Sequence, residues 1–200
     1  VTQGKVEGLS LTSLDFDDSS SDYVTVAHNT DLDVGTADFS MAFWFKTAAS
    51  SGALLAKGGV SGINQGGYKV DISSGKIQPY LVTATNTIFD DADSVTSIND
   101  DKWHHCVISV DRSGSVYNYV DGVLENSEVI SGDTSTFTEG TVALELGRQS
   151  NGSYFDGALR DVRIYEYALS ADQAASLYSG SYNVTPWHWW KLDDGIDGTA

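Results

Sequence analysis

The sequence predicts an all-β fold, a two-sheet antiparallel sandwich with one short C-terminal helix. The main observation is a pair of strand-like runs, Trp103–Asp111 and Ser115–Val120, joined by a turn at Asp111–Gly114. A second observation is that alternation of apolar and polar residues recurs along the chain, with turn signals at intervals of roughly 8–12 residues. The sequence also lacks the crossover helices that a parallel sheet would need.

Two alternating runs and one strongly apolar run open the chain. Leu9–Phe16 and Asp22–Val26 alternate apolar with polar residues, and the polar segment Asp17–Ser21 separates them, which predicts a hairpin-like start. The next predicted strand is Phe39–Lys46, whose Phe and Met side chains share one face while Trp44 points the other way.

The middle of the chain has three further predicted strands. These are Ala53–Lys57, Tyr68–Ile72 and Lys76–Val82, the last two joined by a turn at Ser73–Gly75. A polar, irregular stretch follows at Thr83–Ser97. After the central pair, Val142–Leu146 and Leu159–Tyr165 complete the predicted strands.

A single helix is predicted near the C-terminal end. Ser170 and Gln173 have the spacing of a capping box, in which Ser170 caps the helix and the Gln173 side chain reaches back. Gly180 ends the helix, which is about two turns long.

The composition is strongly acidic, with 28 acidic and 11 basic residues and a net charge of −17. Of the acidic residues 22 are Asp, which favours turns and also supplies hard oxygen ligands for Ca²⁺. The other interpretation of this acidity is solubility in salty or extracellular water. No basic stripe is present, so nucleic acid and anionic membrane surfaces are not expected partners.

Cys106 is the only cysteine, which excludes an intrachain disulfide. Its apolar strand context predicts a buried small hydrophobe and not a nucleophile. No run of about 18 apolar residues occurs, so we expect no membrane insertion.

Several short segments together resemble one known family, the laminin-G-like, concanavalin A-like jelly roll of lectins and glucanases. Their order and spacing match over about residues 5–180. The resemblance implies a two-sheet jelly-roll sandwich over residues 1–182, with six or seven strands in each sheet. The segments are Leu14–Asp17, Asp22–Val24, Phe39–Phe45, Lys102–His105, Tyr119–Gly122, Leu146–Arg148, Phe155–Tyr165 and Ala168–Ala171.

The resemblance favours binding over catalysis. Laminarinase-like glucanases of this fold carry a Glu-x-Asp-x-x-Glu run, which this sequence lacks, and Glu145 has no acidic partner two residues away. We therefore expect a non-enzymatic module for carbohydrate binding or adhesion, extracellular or exposed on a cell or virion surface. A structural subunit of a fibre, filament or virion surface is the alternative, and a glycoside hydrolase of the same fold is a weaker one.

The two adjacent histidines are interpreted as part of the fold. His104 and His105 follow Trp103 on one strand, so their side chains point to opposite faces. A pair of metal ligands would need both rings on one side, and a packing motif of the family is favoured.

Calcium is the one cofactor that the resemblance implies. In calcium-binding relatives a structural ion lies where the equivalent of Asp161 meets the early strands. Asp15 and Asp17 project from one face of their strand and could join it as oxygen ligands. The alternative role for Asp161 is a salt bridge with Arg160 or Arg163.

Aromatic residues near the sheet faces or rim loops are the candidate ligand-binding residues, because aromatic rings stack on sugars. They are Tyr80, Tyr117, Tyr119 and Tyr154, with Asn151 to bind hydroxyl groups. Tyr117 and Tyr119 share a strand face and could form a platform. Packing within the sheets is the other interpretation of these tyrosines.

Residues 183–200 contain an extra strand that resembles the first strand of a domain of this family. This segment could complete its own domain, open a following repeat, or be donated to a neighbouring copy. The assembly residues would be Trp187 and Trp189 on one face and Trp190 on the other. The expected partner is therefore a glycan or another copy of the same protein.

Overall fold

The structure is a computed structural model that describes residues 13–58, 66–83, 88–137, 140–149, 152–181 and 184–192. Two antiparallel sheets face each other, and one α-helix, α1 (Ala171–Ser179), packs on the outside. In chain order the strands are β1 (Leu14–Phe16), β2 (Val24–Val26), β3 (Phe39–Lys46), β4 (Gly52–Gly58), β5 (Gly67–Ser73), β6 (Lys76–Val82), β7 (Ile88–Phe89), β8 (Trp103–Val110), β9 (Ser115–Val120), β10 (Val123–Val129), β11 (Leu144–Leu146), β12 (Arg148–Gln149), β13 (Ser153–Tyr154), β14 (Gly157–Tyr165) and β15 (His188–Trp190).

The seven-stranded sheet, sheet A, has the order β1-β14-β3-β8-β9-β10, and β15 also pairs with β14. The six-stranded sheet, sheet B, has the order β2-β11-β4-β5-β6-β7, and β12 and β13 form a separate small hairpin. A short 3-10 helix, Thr30–Leu32, precedes β3. The predicted all-β antiparallel sandwich with one short C-terminal helix is confirmed.

The main core lies between the two sheets and is built from one face of each strand. Phe39, Met41, Phe43 and Phe45 of β3 are at most 1% exposed and point inward, as their alternation predicts. From sheet B, Tyr68 packs against Phe39 with ring centroids 5.3 Å apart. These aromatic contacts between the sheets bury the largest side chains of the protein.

A second apolar cluster lies on the outer face of sheet A, where α1 covers the strands. It is formed by Ala42, Val107, Tyr119, Tyr165, Leu169, Ala174, Leu177 and Val184. The predicted capping box starts this helix, because the Gln173 N–H donates to Ser170 Oγ at 3.3 Å and the Ser170 N–H donates to Gln173 Oε1 at 2.8 Å. Gly180, in the left-handed conformation with φ of 77°, ends it as predicted.

The predicted hairpin-like start is wrong. Strand β1 pairs with β14 in sheet A, whereas β2 pairs with β11 in sheet B. Between them the Asp17 carboxylate accepts hydrogen bonds from the Ser19 N–H and hydroxyl, at 2.9 and 2.6 Å, and forms a turn that leads from one sheet to the other. Alternation shows which face of a strand is buried, but it does not show which strand is its neighbour.

Strand β10 was not predicted, because its apolar residues do not alternate cleanly. Side chains of this edge strand instead hold the segment that precedes β8. Glu125 accepts the Thr96 N–H at 2.8 Å, and the Asn126 side-chain amide donates to the Asp93 carbonyl at 3.1 Å. The strand is therefore defined by tertiary hydrogen bonds that no local pattern reveals.

Strand β14 pairs with two different strands along one of its edges. Its first half pairs with β1, from Leu14 opposite Leu159 to Phe16 opposite Gly157, and its second half pairs with β15. The two halves meet at Asp161, which has a positive φ of 58° and lies within an irregularity of the pairing with β3.

An aromatic stack covers the part of the outer face of sheet A around Trp44. The Arg160 guanidinium lies over Trp103 and Trp44, at 4.2 and 5.0 Å from the ring centroids. Tyr178 of α1 stacks on Trp44 with ring centroids 5.6 Å apart. The His105 ring also contacts Trp44, with ring centroids 5.0 Å apart. Sheet A is thus covered on both faces.

Lys57 of β4 joins two connections, β2–β3 and β10–β11. Its side chain is 0% exposed, and its ammonium donates to the Val142 carbonyl at 2.9 Å. The same nitrogen lies 3.1 Å from Asp33 Oδ1 and 3.3 Å from His28 Nδ1. These partners match the three N–H donors of an ammonium group, which explains how a charged residue is accommodated on the inner side of β4.

We predict that Lys57→Met lowers the free energy of unfolding by about 2–4 kcal/mol, because it leaves the partners of a buried charge unpaired. The cost is below that of a fully buried pair because the Asp33 side chain remains 31% exposed. Urea denaturation measures it, with Lys102→Met as the control, since the Lys102 side chain is 75% exposed. Equal stability of the two variants would contradict the role given to Lys57.

His105 makes the stability depend on pH. Burial, with smaller contributions from Arg163 and Arg160, lowers the pKa of His105 from its usual 6.5 to about 3. Between these values the unfolded chain binds more protons than the folded one, so stability is full above pH 6.5 and decreases as the pH falls toward 3. The slope from this group is at most about 1.4 kcal/mol per pH unit.

His105→Phe should therefore reduce the loss of stability on acidification while retaining the contact with Trp44. Denaturant titrations between neutral pH and pH 4 measure the unfolding free energies of both proteins. As the pH falls, the unfolding free energy should decrease less in the variant than in the wild type. Parallel pH profiles for the two proteins would show that His105 does not titrate as described.

Candidate ligand-binding site

Four side chains form a compact group at the rim of sheet B, which we call the Tyr23–Tyr154 cluster: Tyr23, Tyr154, Arg148 and Glu145. The Arg148 guanidinium lies 3.4 Å from the ring centroid of Tyr23 and 5.9 Å from that of Tyr154. The two tyrosine rings are 6.5 Å apart and inclined at 54°. Tyr23 is 44% exposed and Tyr154 is half-buried, so both present ring surface to solvent.

The local chain path places these four residues together. Gly147, with φ of 78°, separates β11 from β12, and a Cβ at this position would overlap the Phe16 ring. Strand β12 pairs with β13, which sets Arg148 directly opposite Tyr154. Glu145 lies on β11, three residues before Arg148, and forms a hydrogen bond and ion pair with it.

The Arg148–Glu145 pair determines the electrostatics of the cluster. The hydrogen bond that Arg148 donates to Glu145 is the main cause that holds the pKa of Arg148 above its usual range. The side chains of Arg148 and Glu145 are 19% and 8% exposed. Arg148 therefore stays charged and its charge is balanced, while its guanidinium packs over the Tyr23 ring.

An open polar cleft adjoins Tyr154. Its volume is about 350 Å³. Backbone and small hydroxyl side chains dominate its walls, which suits hydrogen bonding to a ligand with many hydroxyl groups. The lining residues are Asp18, Ser51, Gly52, Gly152, Ser153 and Tyr154. A second open cleft, of about 320 Å³, has Asp15 and Lys46 among its lining residues.

Two predicted ligand-binding residues lie on the outer side of sheet B. Tyr154 is part of the cluster and the cleft. The Lys69 ammonium lies over the Tyr80 ring, 4.5 Å from the ring centroid. Lys69 also donates to Oε1 of Gln149, the residue that follows Arg148, at 3.0 Å. Asn151 lies outside the described residues.

The predicted platform of Tyr117 and Tyr119 is corrected by its burial. The two rings are neighbours, 6.4 Å apart. Tyr119 is only 4% exposed, however, and belongs to the apolar cluster under α1, against which Tyr117 also packs. These tyrosines pack in the sheet as the alternative interpretation held, because the helix occupies the face that a sugar would need.

The residues of the predicted calcium site have other partners. The Arg163 guanidinium donates to both Asp161 oxygens at 2.9 Å, and the Trp189 indole N–H donates to Asp161 Oδ1 at 2.5 Å. Asp17 holds its own turn, and Asp15 lines the second cleft. Within the described residues no group of three or more His, Cys, Asp or Glu side chains could hold a metal ion. The calcium site stays a prediction.

The three tryptophans assigned to assembly divide between the two faces of β15. Trp190 packs against the main core, as does Leu192. Trp187 and Trp189 remain 40% and 48% exposed. In the described structure β15 pairs with β14 of the same chain, with Trp190 opposite Val162.

Sequence reasoning found Tyr154 but missed three members of the cluster. Tyr23 and Arg148 lie within or beside segments that carry the family resemblance, yet nothing local indicates that Arg148 faces Tyr23. Their contact depends on β2, β11 and β12 being neighbours, which only the sheet order reveals. The spacing of Glu145 and Arg148, separated by the turn-forming Gly147, was the one usable signal.

Comparison with known proteins identifies the family. A family model described as the concanavalin A-like lectin/glucanases superfamily (Laminin_G_3) matches residues 18–175. The chain therefore belongs to this family, and the predicted laminin-G-like, concanavalin A-like jelly roll is confirmed. No curated protein matches the chain.

Solved structures share the fold at low sequence identity. A provisionally named carbohydrate binding protein from Bacteroides ovatus has a TM-score of 0.71 and 14% identity, over 96% of this chain and 54% of that one. The binding domain of Paraclostridial Mosquitocidal Protein 1 has a TM-score of 0.65 and 16% identity, over 89% of this chain and 45% of that one. Domains LG4-5 of the mouse laminin α1 chain have a TM-score of 0.63 and 14% identity, over 85% of this chain and 46% of that one.

This chain thus spans about half the length of the structures it matches. None of the helices in the described part of the chain has the length and apolar character needed to cross a membrane.

Proposed function

We propose that this protein is a non-enzymatic carbohydrate-binding or adhesion module, extracellular or exposed on a surface, whose ligand binds at the Tyr23–Tyr154 cluster. The observation that carries the proposal is a pair of solvent-facing tyrosine rings held around an Arg–Glu pair beside an open polar cleft. The names of two structural neighbours, a carbohydrate binding protein and a toxin binding domain, support a binding role.

The proposed recognition combines stacking with hydrogen bonds. The C–H face of a sugar ring would lie against Tyr154 or Tyr23, which bury apolar surface at a small cost in conformational entropy. Hydroxyl groups would then bond to the cleft, where Ser51, Ser153 and Asp18 supply donors and acceptors. Because Arg148 already fixes the rings, the site is largely preformed.

A glycoside hydrolase of the same fold remains the weaker candidate, and it would require two carboxyl groups that flank a glycosidic bond. In the proposed site Glu145 is bonded to Arg148, which favours a structural role for this carboxylate. Turnover of a β-glucan by the purified protein would support the enzymatic alternative. Calcium, expected from the family resemblance, remains a proposal for a structural ion near Asp161.

We predict that Tyr154→Ala weakens glycan binding by about tenfold or more, because loss of a stacked ring removes roughly 1–2 kcal/mol of contact. Tyr23→Ala should act in the same direction. A glycan array would identify the ligand, and isothermal titration calorimetry would compare affinities of the wild type and the variants.

Tyr178→Ala is the matched control for this experiment. Tyr178 is 42% exposed, but it lies on α1 and stacks on Trp44 at the opposite side of the sandwich. Its removal should leave affinity unchanged. Equal affinities for wild type and Tyr154→Ala, with ligand bound by both, would place the glycan elsewhere on the protein.

A second candidate function, a subunit of a fibre, filament or virion surface, is favoured by one observation. Trp187 and Trp189 are exposed on an edge strand, where indole rings commonly mark protein contacts. In this proposal the rings of one copy contact a second copy, or β15 pairs with β14 of a neighbour.

If this second function operates, the wild-type protein should form dimers or longer assemblies at micromolar concentration, and Trp187→Ser with Trp189→Ser should be monomeric. Light scattering coupled to size-exclusion chromatography measures the mass. Tyr178→Ala again serves as a control for loss of an exposed ring. A wild-type protein that stays monomeric at all accessible concentrations would exclude this function.

A further inference from the structure

We infer that the Tyr23–Tyr154 cluster takes an uncharged sugar and discriminates against glycans that carry carboxylate or sulfate groups. The inference rests on the proposed function and concerns the chemical class of its ligand. It follows from the charges in the cluster, from those along the cleft and from the charge of the whole protein.

Within the cluster, the charge of Arg148 is already used. Glu145 accepts a hydrogen bond from the guanidinium, and the Glu145 side chain is only 8% exposed. An anionic sugar that recruited Arg148 would compete with Glu145 for the guanidinium, and weakening this nearly buried ion pair is unfavourable. A hydroxyl group, in contrast, can share the outer N–H groups of Arg148 without displacing Glu145.

The cleft beside the cluster provides no second cation. Its described lining contains one charged side chain, Asp18, together with serine, glycine and Tyr154. Lys69, which lies further along the same face, is 2.5 Å from the Asp71 carboxylate and also donates to Gln149. A carboxylate or sulfate bound in the cleft would therefore lie beside Asp18 without a free basic partner among these residues.

The charge of the protein acts in the same direction. A net charge of −17 repels polyanions before contact, and this repulsion weakens as salt screens it. Affinity for a neutral glycan should consequently be nearly independent of ionic strength. Affinity for an anionic glycan, if measurable, should increase with salt.

The test compares matched glycans that differ in charge, such as xylan and glucuronoxylan oligosaccharides, and galacturonan with its methyl-esterified form, within a panel that also holds neutral, sialylated and sulfated glycans. Binding to the wild-type protein is measured by calorimetry at low and high salt. For each pair we expect the affinity for the neutral glycan to exceed the affinity for its charged counterpart by about tenfold or more.

Glu145→Gln should release Arg148 and raise affinity for the charged glycan of a pair by about tenfold at a given salt concentration. Glu166→Gln, a change at an exposed position outside the cluster, is the matched control and should change neither affinity. Should Glu145→Gln fail to fold, Asp18→Asn removes the acidic group of the exposed turn and should raise anionic binding severalfold.

The outcomes separate the two claims. A folded wild-type protein that binds no glycan of either class defeats the proposed function. Binding of charged glycans more tightly than their neutral counterparts, weakened by salt and lost in Tyr154→Ala, retains the function but overturns the inference about ligand class. Neutral binding with no gain of anionic binding in either Glu145→Gln or Asp18→Asn would contradict the electrostatic basis given for the selectivity.

Discussion

The two sheets of this protein are covered unequally, and the position of the candidate site follows from that constraint. Strand β3 directs Phe43 and Phe45 into the core between the sheets, where burial of large aromatic side chains provides the main stabilisation. Its opposite face is covered as well, by α1 and by the stack of Arg160 with two tryptophans. In the described part of the chain no helix covers the outer side of sheet B, and its polar and aromatic residues remain available to a ligand.

Local sequence patterns predicted most strands and the helix because their determinants are local. Alternation identified the inward face of β3, and Ser170 with Gln173 identified the start of α1. What failed was pairing, as in the predicted hairpin at the start of the chain, because the hydrogen-bond partner of a strand is a tertiary property. The site shows the same limit: Tyr154 has a recognisable residue type, but its contact with Arg148 and Tyr23 depends on the order of strands in sheet B.

The charged residues of the protein are mostly occupied by one another, and this has consequences for both stability and binding. Lys57 is held by three groups from two connections, and Asp161 is held by Arg163 and by Trp189, which also attaches β15 to β14. Arg148 is likewise held by Glu145. In a protein with so few cations, a site whose only arginine is already paired is suited to orient aromatic rings and hydroxyl groups.

We propose that the ligand binds at the Tyr23–Tyr154 cluster on the outer rim of sheet B. The most direct measurement is nuclear magnetic resonance titration of the folded protein with a glycan that it binds, following the side chains of tyrosine, arginine and tryptophan. We expect saturable shifts at Tyr23, Arg148 and Tyr154, with Tyr119 and Tyr178 unchanged. Shifts confined to Trp187 and Trp189, or to the residues around α1, would contradict it.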